Sequence, residues 1–263
     1  MKKFSIIVPV YRQGLTIRRD IMALIGAMSE SKVPFEIIAV VDGYLDTSRQ
    51  ELMKIRDERL HVVGYPTNHG KGYAVRYGFA KATGDVIGFM DAGGDLKPTS
   101  LHLMLEQFRF LDADAVIGSK RHPDSKVEYP EYRKVVSSIY QLIVRILFGL
   151  NVRDTQVGMK IYKRKVLEDV LPRLLVKEFA FDIEMLAVAW RLGYRKIFEA
   201  PVDIDFHSVL SSINFQNLFK VGFRTLWDTI AVFYRLRLRH YYDNESHRKW
   251  KFDPELNFRI NIG

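Results

Sequence analysis

The sequence contains no cysteine. Disulfide staples, thiolate metal sites and a cysteine nucleophile are therefore excluded, and the composition fits a reducing compartment. Long apolar runs are missing too. No stretch reaches the about 18 residues that cross a bilayer. The best candidates, around Ile139–Leu150 and Thr229–Leu238, are short and broken by Arg145 and Arg235. Met1–Val10 lacks a full apolar core and a small-residue cleavage site, so it does not read as a secretory signal. There is no G-x-G-x-x-G, no complete P-loop spacing, no internal repeat and no low-complexity segment. Acids are in deficit, 31 against 40 Lys and Arg, for a net charge of +9. That surplus suits solubility or an anionic partner: nucleic acid, a lipid surface or a phosphorylated substrate.

What is present is an ordinary globular chain, 48% apolar and 27% charged over 263 residues. That is one large domain or two small ones, with ample core. Apolar strands at Phe4–Val10, Phe35–Val41, Leu60–Gly64, Asp85–Met90 and Ala113–Gly118 alternate with helices over about Leu15–Met28, Asp46–Arg56, Gly72–Ala82 and Pro98–Leu111. This alternation predicts an α/β fold with a parallel sheet flanked by helices, whose ligands sit at the strands' carboxyl ends. Beyond Gly118 come a polar turn-rich stretch, an amphipathic helix over Tyr132–Leu150, a strand Val157–Tyr162, a helix Phe181–Leu192 and a strand Arg195–Ala200. A second long amphipathic region covers Ser211–Arg239, and the polar, aromatic tail after His240 is expected to be partly disordered.

Acids recur at strand ends. Asp42 and Asp46 follow the second strand, Asp91 and Asp95 the fourth, and Asp154 precedes a later one. A single such acid is most often a turn residue or helix cap. Several converging on one crevice can hold a hard cation and ribose or base groups. In Met90-Asp-Ala-Gly-Gly-Asp95 the glycines let backbone and carboxylate approach a ligand closely. In Asn68-His-Gly-Lys-Gly72 a lysine precedes a helix, either as a solvated turn or against an anionic ligand.

With Ile7-Val-Pro-Val-Tyr11, Val41-Asp-Gly-Tyr-Leu-Asp46, Gly118-Ser-Lys-Arg121, Asp154-Thr-Gln-Val-Gly-Met-Lys160 and Phe179-Ala-Phe-Asp-Ile-Glu184, these motifs follow a characteristic order. Over about Phe4–Phe206 the chain resembles glycosyltransferase family 2, and within it the polyprenyl-phosphate (dolichyl-phosphate) mannose and glucose synthases. The resemblance implies a GT-A fold, Rossmann-like, with a catalytic domain over 1–206, a C-terminal amphipathic region over 207–240 and a polar tail over 241–263. It implies an inverting enzyme that moves a hexose from a GDP- or UDP-sugar to a polyprenyl phosphate, aided by Mg²⁺ or Mn²⁺. Pro9, Tyr11, Gln13, Asp42 and Lys71 would hold the nucleotide, and Asp91 and Asp95 the metal. Arg121, Arg133 and Ser137 would grip the acceptor phosphate. Asp154 and Lys160 would serve catalysis, and Gln156, Asp182 and Glu184 would lie near the donor sugar or support its loop. The two amphipathic regions would lie in the membrane interface, placing the protein at the cytoplasmic face, peripherally or through a separate membrane partner.

Against the family pattern, a second acid beside Asp42, a Ser at Tyr44 and a Glu at Gln13 are replaced, and the usual Asp-x-Asp is Asp91-Ala-Gly93. Weak metal binding or an altered metal preference is expected. Two other readings stay open: transfer to a glycan hydroxyl, with Asp154 or Asp182 as base, and a non-catalytic nucleotide-sugar-binding homologue. Nucleic-acid binding rests on charge alone, since no recognised motif supports it, and none is expected.

Overall fold

The computed structural model describes residues 2–126, 131–176, 180–204, 215–243 and 249–261, with the backbone alone over 131–136 and 215–221. The first half alternates strands β1 (Phe4–Val10), β2 (Phe35–Asp42), β3 (Leu60–Tyr65), β4 (Val86–Met90) and β5 (Ala115–Ser119) with helices α1 (Ile17–Ser29), α2 (Ser48–Met53), α3 (Lys71–Lys81) and α4 (Thr99–Phe110). Then follow α5 (Glu131–Phe148), β6 (Met159–Lys163), α6 (Arg164–Val170), α7 (Phe181–Arg191), β7 (Ile197–Pro201) and α8 (Phe215–Phe233), which runs into a π-helical turn, Tyr234–Leu238. The sheet has seven strands in the order β3-β2-β1-β4-β6-β5-β7.

The apolar runs of β1 and β2 are buried on both faces, as strands inside a parallel sheet must be. Ile6 and Val8 pack with Ile17, Ile21 and Leu24 of α1 and with Leu101 and Leu105 of α4. Ile7 faces the other way, into a core shared with α3, α6 and α7. The sheet is mostly parallel, but β6 runs antiparallel to β4 and to β5. This agrees with the mostly parallel sheet that the GT-A resemblance implies, with β6 as the one strand of the seven that runs against its neighbours. The short helix α6 follows β6 directly and lies outside the expected elements.

The described part of the tail is structured. Beyond His240, Tyr242 is fully buried, and β8 (Trp250–Asp253) pairs with β9 (Phe258–Asn261) as a hairpin. Phe258 meets Phe79 of α3 edge-on at 6.1 Å, and Tyr73 donates to Glu255 at 2.6 Å. The aromatic residues that made the tail look unusual are what dock it. The amphipathic C-terminal region likewise joins the main core through Val232 and Leu236, while residues 205–214, where the expected domain boundary falls, lie outside the described residues.

One buried acid locks β1 to β2 at the end away from the crevice. The Glu36 carboxylate accepts from Lys3 Nζ and Ser5 Oγ at 2.6 Å each and from the Thr83 N–H at 2.7 Å. Burial opposes its charge, but these donors outweigh it and lower its pKa from 4.5 to about 2. A lowered folded-state pKa contributes stability above pH 4.5 that is lost as pH falls towards about 2. The shift corresponds to about 3 kcal/mol. Glu36→Gln should therefore lower urea stability at pH 7 by up to about that amount, with the gap to wild type closing in acid. An unchanged gap at low pH would show that the charge is not the cause.

Candidate functional site

The crevice lies where β1, β2 and β4 end. The loops after β1 and β2 are stapled together: Gln13 N–H donates to Ser48 Oγ at 2.9 Å and Gly14 N–H to Asp46 at 2.8 Å. Pro9 is half-buried at the end of β1, and the rings of Tyr11 and Tyr44 stand exposed at the rim. Asp42, the last residue of β2, is buried. Its carboxylate accepts from His69 N–H (2.7 Å), Gly70 N–H (3.0 Å) and Asn68 Nδ2 (3.2 Å). Here Asp42 orders the Asn68–Gly70 loop that delivers Lys71 to the crevice.

Asp91 follows β4. Its N–H donates to Gly158 O at 2.8 Å, tying it to the turn before β6. The packing is close enough that a Cβ on Gly158 would lie 1.9 Å from Asp91 Oδ2. Any side chain at 158 would push the carboxylate out of place, a demand on that glycine visible only once the two segments meet. Lys71 Nζ contacts both Asp91 oxygens, at 2.8 and 3.1 Å, and Asp182 Oδ2 at 3.1 Å. The other Asp182 oxygen accepts from Lys160 Nζ at 2.6 Å. Two ammonium groups and two carboxylates thus form one chain, drawn from α3, β4, β6 and α7.

Electrostatics follow burial within it. Lys160 is fully buried, and burial lowers its pKa despite Asp182. Burial also works against Lys71, but Asp182 and Asp91 together raise its pKa. Asp182 is held below the usual carboxylate range because the two ammonium groups outweigh its burial.

Asp154, in the segment before β6, is buried. Its carboxylate accepts from the Lys120 and Gln156 N–H groups at 3.1 and 3.2 Å, so it shapes the turn that carries Gln156. Arg121 donates to Ser137 Oγ at 2.8 Å and to Ser138 Oγ at 3.1 Å, near the middle of α5. The Arg133 side chain lies outside the described residues.

Glu184 is not placed against the crevice. It is fully buried and accepts from the Leu175 and Val176 N–H groups, from Arg235 Nη1 and from the Tyr242 hydroxyl. Two residues along α7 from Asp182, its side chain projects to a different side. Of the two roles expected for Glu184, a place near the sugar or support of its loop, these contacts favour support, here of the 174–176 segment. Glu199, Arg235, Tyr242 and Ser138 escaped the sequence reading. Glu199 holds the Arg153 and Asp154 N–H groups at 2.8 and 3.0 Å, which no local pattern could indicate from 45 residues away.

A cation would find few carboxylates here: Asp91 and Asp182 both reach the Lys71 ammonium, and Asp95 lies further along the loop. Among the described residues, no three His, Asp or Glu groups converge as ligands. Asp91 is 43% exposed at its side chain, and Asp95 sits half-buried further along the same loop. A Cβ on Gly93 would meet only Gln13 Nε2, at 3.7 Å, so the place of the family's second acid is open. One or two carboxylates with room for phosphate oxygens and water are a donor set that Mg²⁺ or Mn²⁺ accepts. On the α1/α4 side of this loop lies a cleft of about 540 Å³, lined by Thr16, Asp20, Asp91, Gly94 and Lys97 among others.

Comparison with known proteins agrees with this architecture. The glycosyl transferase family 2 model matches residues 5–171. Glycosyltransferase AglD of Haloferax volcanii is 30% identical over 206 residues, which are 76% of this chain but 32% of that protein. The undecaprenyl-phosphate mannosyltransferase of Micrococcus luteus is 33% identical over 204 residues, 74% of this chain and 81% of that one. In fold, the chain is similar to glucosyl-3-phosphoglycerate synthase from Mycobacterium tuberculosis, crystallised with Mn²⁺, UDP and phosphoglyceric acid. The TM-score is 0.66 at 17% identity, covering 99% of this chain and 86% of that one. By its matched motifs, its sheet and its crevice, this chain belongs to glycosyl transferase family 2.

Proposed function

We propose that the protein transfers a hexose, mannose or glucose, from a UDP- or GDP-sugar to a polyprenyl phosphate at a membrane surface, with inversion. The observation that carries this reading is the continuity of a phosphate grip with an apolar stripe. Arg121, Ser137 and Ser138 gather two turns into α5. Below them Ile139, Leu142 and Ile146 of α5 and Phe223, Trp227 and Ile230 of α8 are 46–72% exposed. The two helices are joined by a Tyr140–Thr229 hydroxyl contact of 2.7 Å and by the Phe148 and Phe233 rings. No helix among the described residues is long and apolar enough to cross a membrane. A basic helix pair with an exposed apolar face suits the bilayer interface.

The chemistry supports a phosphate acceptor over a hydroxyl. Asp154 and Asp182, the carboxylates considered as bases, both have their oxygens engaged. An ionised phosphate needs no base. One of its oxygens attacks the anomeric carbon, and the bond to the diphosphate breaks with its electron pair leaving on the nucleotide. Lys71 and Lys160 provide positive charge for that departure, and Arg121 aligns the acceptor. Asp91 would hold a Mg²⁺ or Mn²⁺ ion together with the donor, and the ion's charge would further neutralise the leaving diphosphate.

The test is nucleoside diphosphate release from a panel of UDP- and GDP-hexoses, with Mg²⁺ or Mn²⁺ and with or without polyprenyl phosphate in detergent. Release from one donor only when lipid phosphate is present is expected. Arg121→Ala should raise KM for the lipid at least about tenfold, the loss of a charged contact, and leave the donor KM unchanged. Equal release with a glycan acceptor and no lipid phosphate would overturn the reading.

A further inference from the structure

Asp91, the residue read as facing the donor diphosphate, is already neutralised. Lys71 Nζ touches both of its oxygens and one oxygen of Asp182. Lys71 is the first residue of α3, so its backbone is fixed by the helix while its side chain spans the crevice. We propose that Lys71 is a built-in counter-cation. In the donor-free protein it occupies Asp91 and keeps a divalent ion out. An incoming diphosphate draws the ammonium onto its own oxygens and frees the carboxylate, so metal and nucleotide bind as a coupled pair.

Three observations support this, and they rest on the reading of Asp91 above. First, the cluster balances without a metal: Lys71 and Lys160 face Asp91 and Asp182. A lone dication would add two positive charges beside two ammonium groups, one of them fully buried where screening is weakest. A diphosphate entering with the metal removes that excess. Second, position 93 is glycine, so only Asp95, half-buried further along, offers this loop a second carboxylate while Lys71 stays on Asp91. Third, release of Lys71 leaves no buried charge unpaired, because Asp182 keeps Lys160 at 2.6 Å. The contact can open without dismantling the core.

Coupling of this kind is reciprocal: Mn²⁺ should strengthen nucleotide binding by the factor that nucleotide strengthens Mn²⁺ binding. The experiment is Mn²⁺ titration of the full chain by electron paramagnetic resonance, alone and with saturating UDP or GDP, for wild type, Lys71→Met and Asp91→Asn. Wild type should bind Mn²⁺ at least about tenfold more weakly without nucleotide than with it. Lys71→Met should bind Mn²⁺ without nucleotide at least about tenfold more tightly than wild type, and should gain less from nucleotide. Circular dichroism melting confirms that the variant is folded, and Lys71→Gln replaces it if it is not. The counter-cation role is overturned if wild type binds Mn²⁺ equally with and without nucleotide. It is also overturned if loss of Lys71 leaves nucleotide-free binding unchanged while Asp91→Asn abolishes binding. If Asp91→Asn leaves nucleotide-dependent Mn²⁺ binding intact, the underlying assignment of Asp91 fails instead.

Discussion

Asp91→Asn should lower turnover by at least about 100- to 1000-fold, the cost of removing one preorganised electrostatic group from a reacting centre, with little effect on folding. The carboxylate is 43% exposed, so it contributes little core burial. Asn has the same shape and fits the tight space over Gly158, where a displaced side chain would confuse the result. Lys71 keeps Asp182 as a partner, so no buried ammonium is stranded. The loss should fall on kcat more than on the acceptor KM, because Arg121 and Ser137 lie on a different element. Transfer rates and circular dichroism melting curves for the same preparations decide it. Near-normal turnover would remove Asp91 from the centre of the reaction, whatever the metal does.

Asp182→Asn should act in the opposite way, through the fold first. Asp182 is the shared partner of Lys160 and Lys71, and Lys160 has no exposure to solvent. Breaking a buried pair leaves an uncompensated charge, at a cost of about 3–5 kcal/mol. For a chain of this size that is a fall in melting temperature of roughly 6–20 °C. Lys160→Met placed on top of Asp182→Asn should recover much of the loss, since an apolar side chain removes the stranded charge. The pH dependence has a definite sign. Burial already lowers the Lys160 pKa, and loss of Asp182 lowers it further. Between that depressed value and the ordinary one, the unfolded chain binds more protons than the folded one, so stability rises with pH. The deficit of Asp182→Asn should therefore shrink as pH rises towards 10.5, the ordinary lysine value. A deficit that stays constant with pH would mean that packing, not charge, is responsible.

The two variants bear on different functions of one cluster. Asp91 is its open end, where a ligand can exchange with Lys71. Asp182 and Lys160 are its anchored end, which holds the exchange site in place. Glu184, on the same helix, extends that anchor to the C-terminal segment through Arg235 and Tyr242. The helix bearing the exposed apolar stripe and the helix bearing Asp182 are thereby joined by a buried carboxylate.

Much of this was legible in the linear sequence. The mainly apolar runs at Phe4–Val10 and Phe35–Val41 marked strands inside a sheet. The spacing of Ile17, Ile21, Leu24 and Met28 marked a helix with one inward face. Asp42 and Asp91 at strand ends marked the crevice. These signals are local: strand and helix periodicities write the apolar face into neighbouring residues. The hairpin at the C-terminus was readable in the same way, from Trp250 and Phe252 alternating with charged residues on one side of a turn and Phe258 and Ile260 on the other. The weight given to its polarity hid that alternation.

The rest belonged to tertiary structure. β6 runs antiparallel to β4 and β5, a direction that no periodicity records. Asp42 looks like a ligand-binding acid in sequence, but the fold turns both its oxygens onto the Asn68–Gly70 loop. Lys71 and Asp182 stand 111 residues apart and meet only because α3 and α7 lie on the same face of the sheet. The sequence by itself determined which residues could carry charge at the mouth of a parallel sheet. The order of the strands decided which of those charges neutralise one another and which remain for a ligand, because ion pairing depends on distances that only the assembled sheet sets.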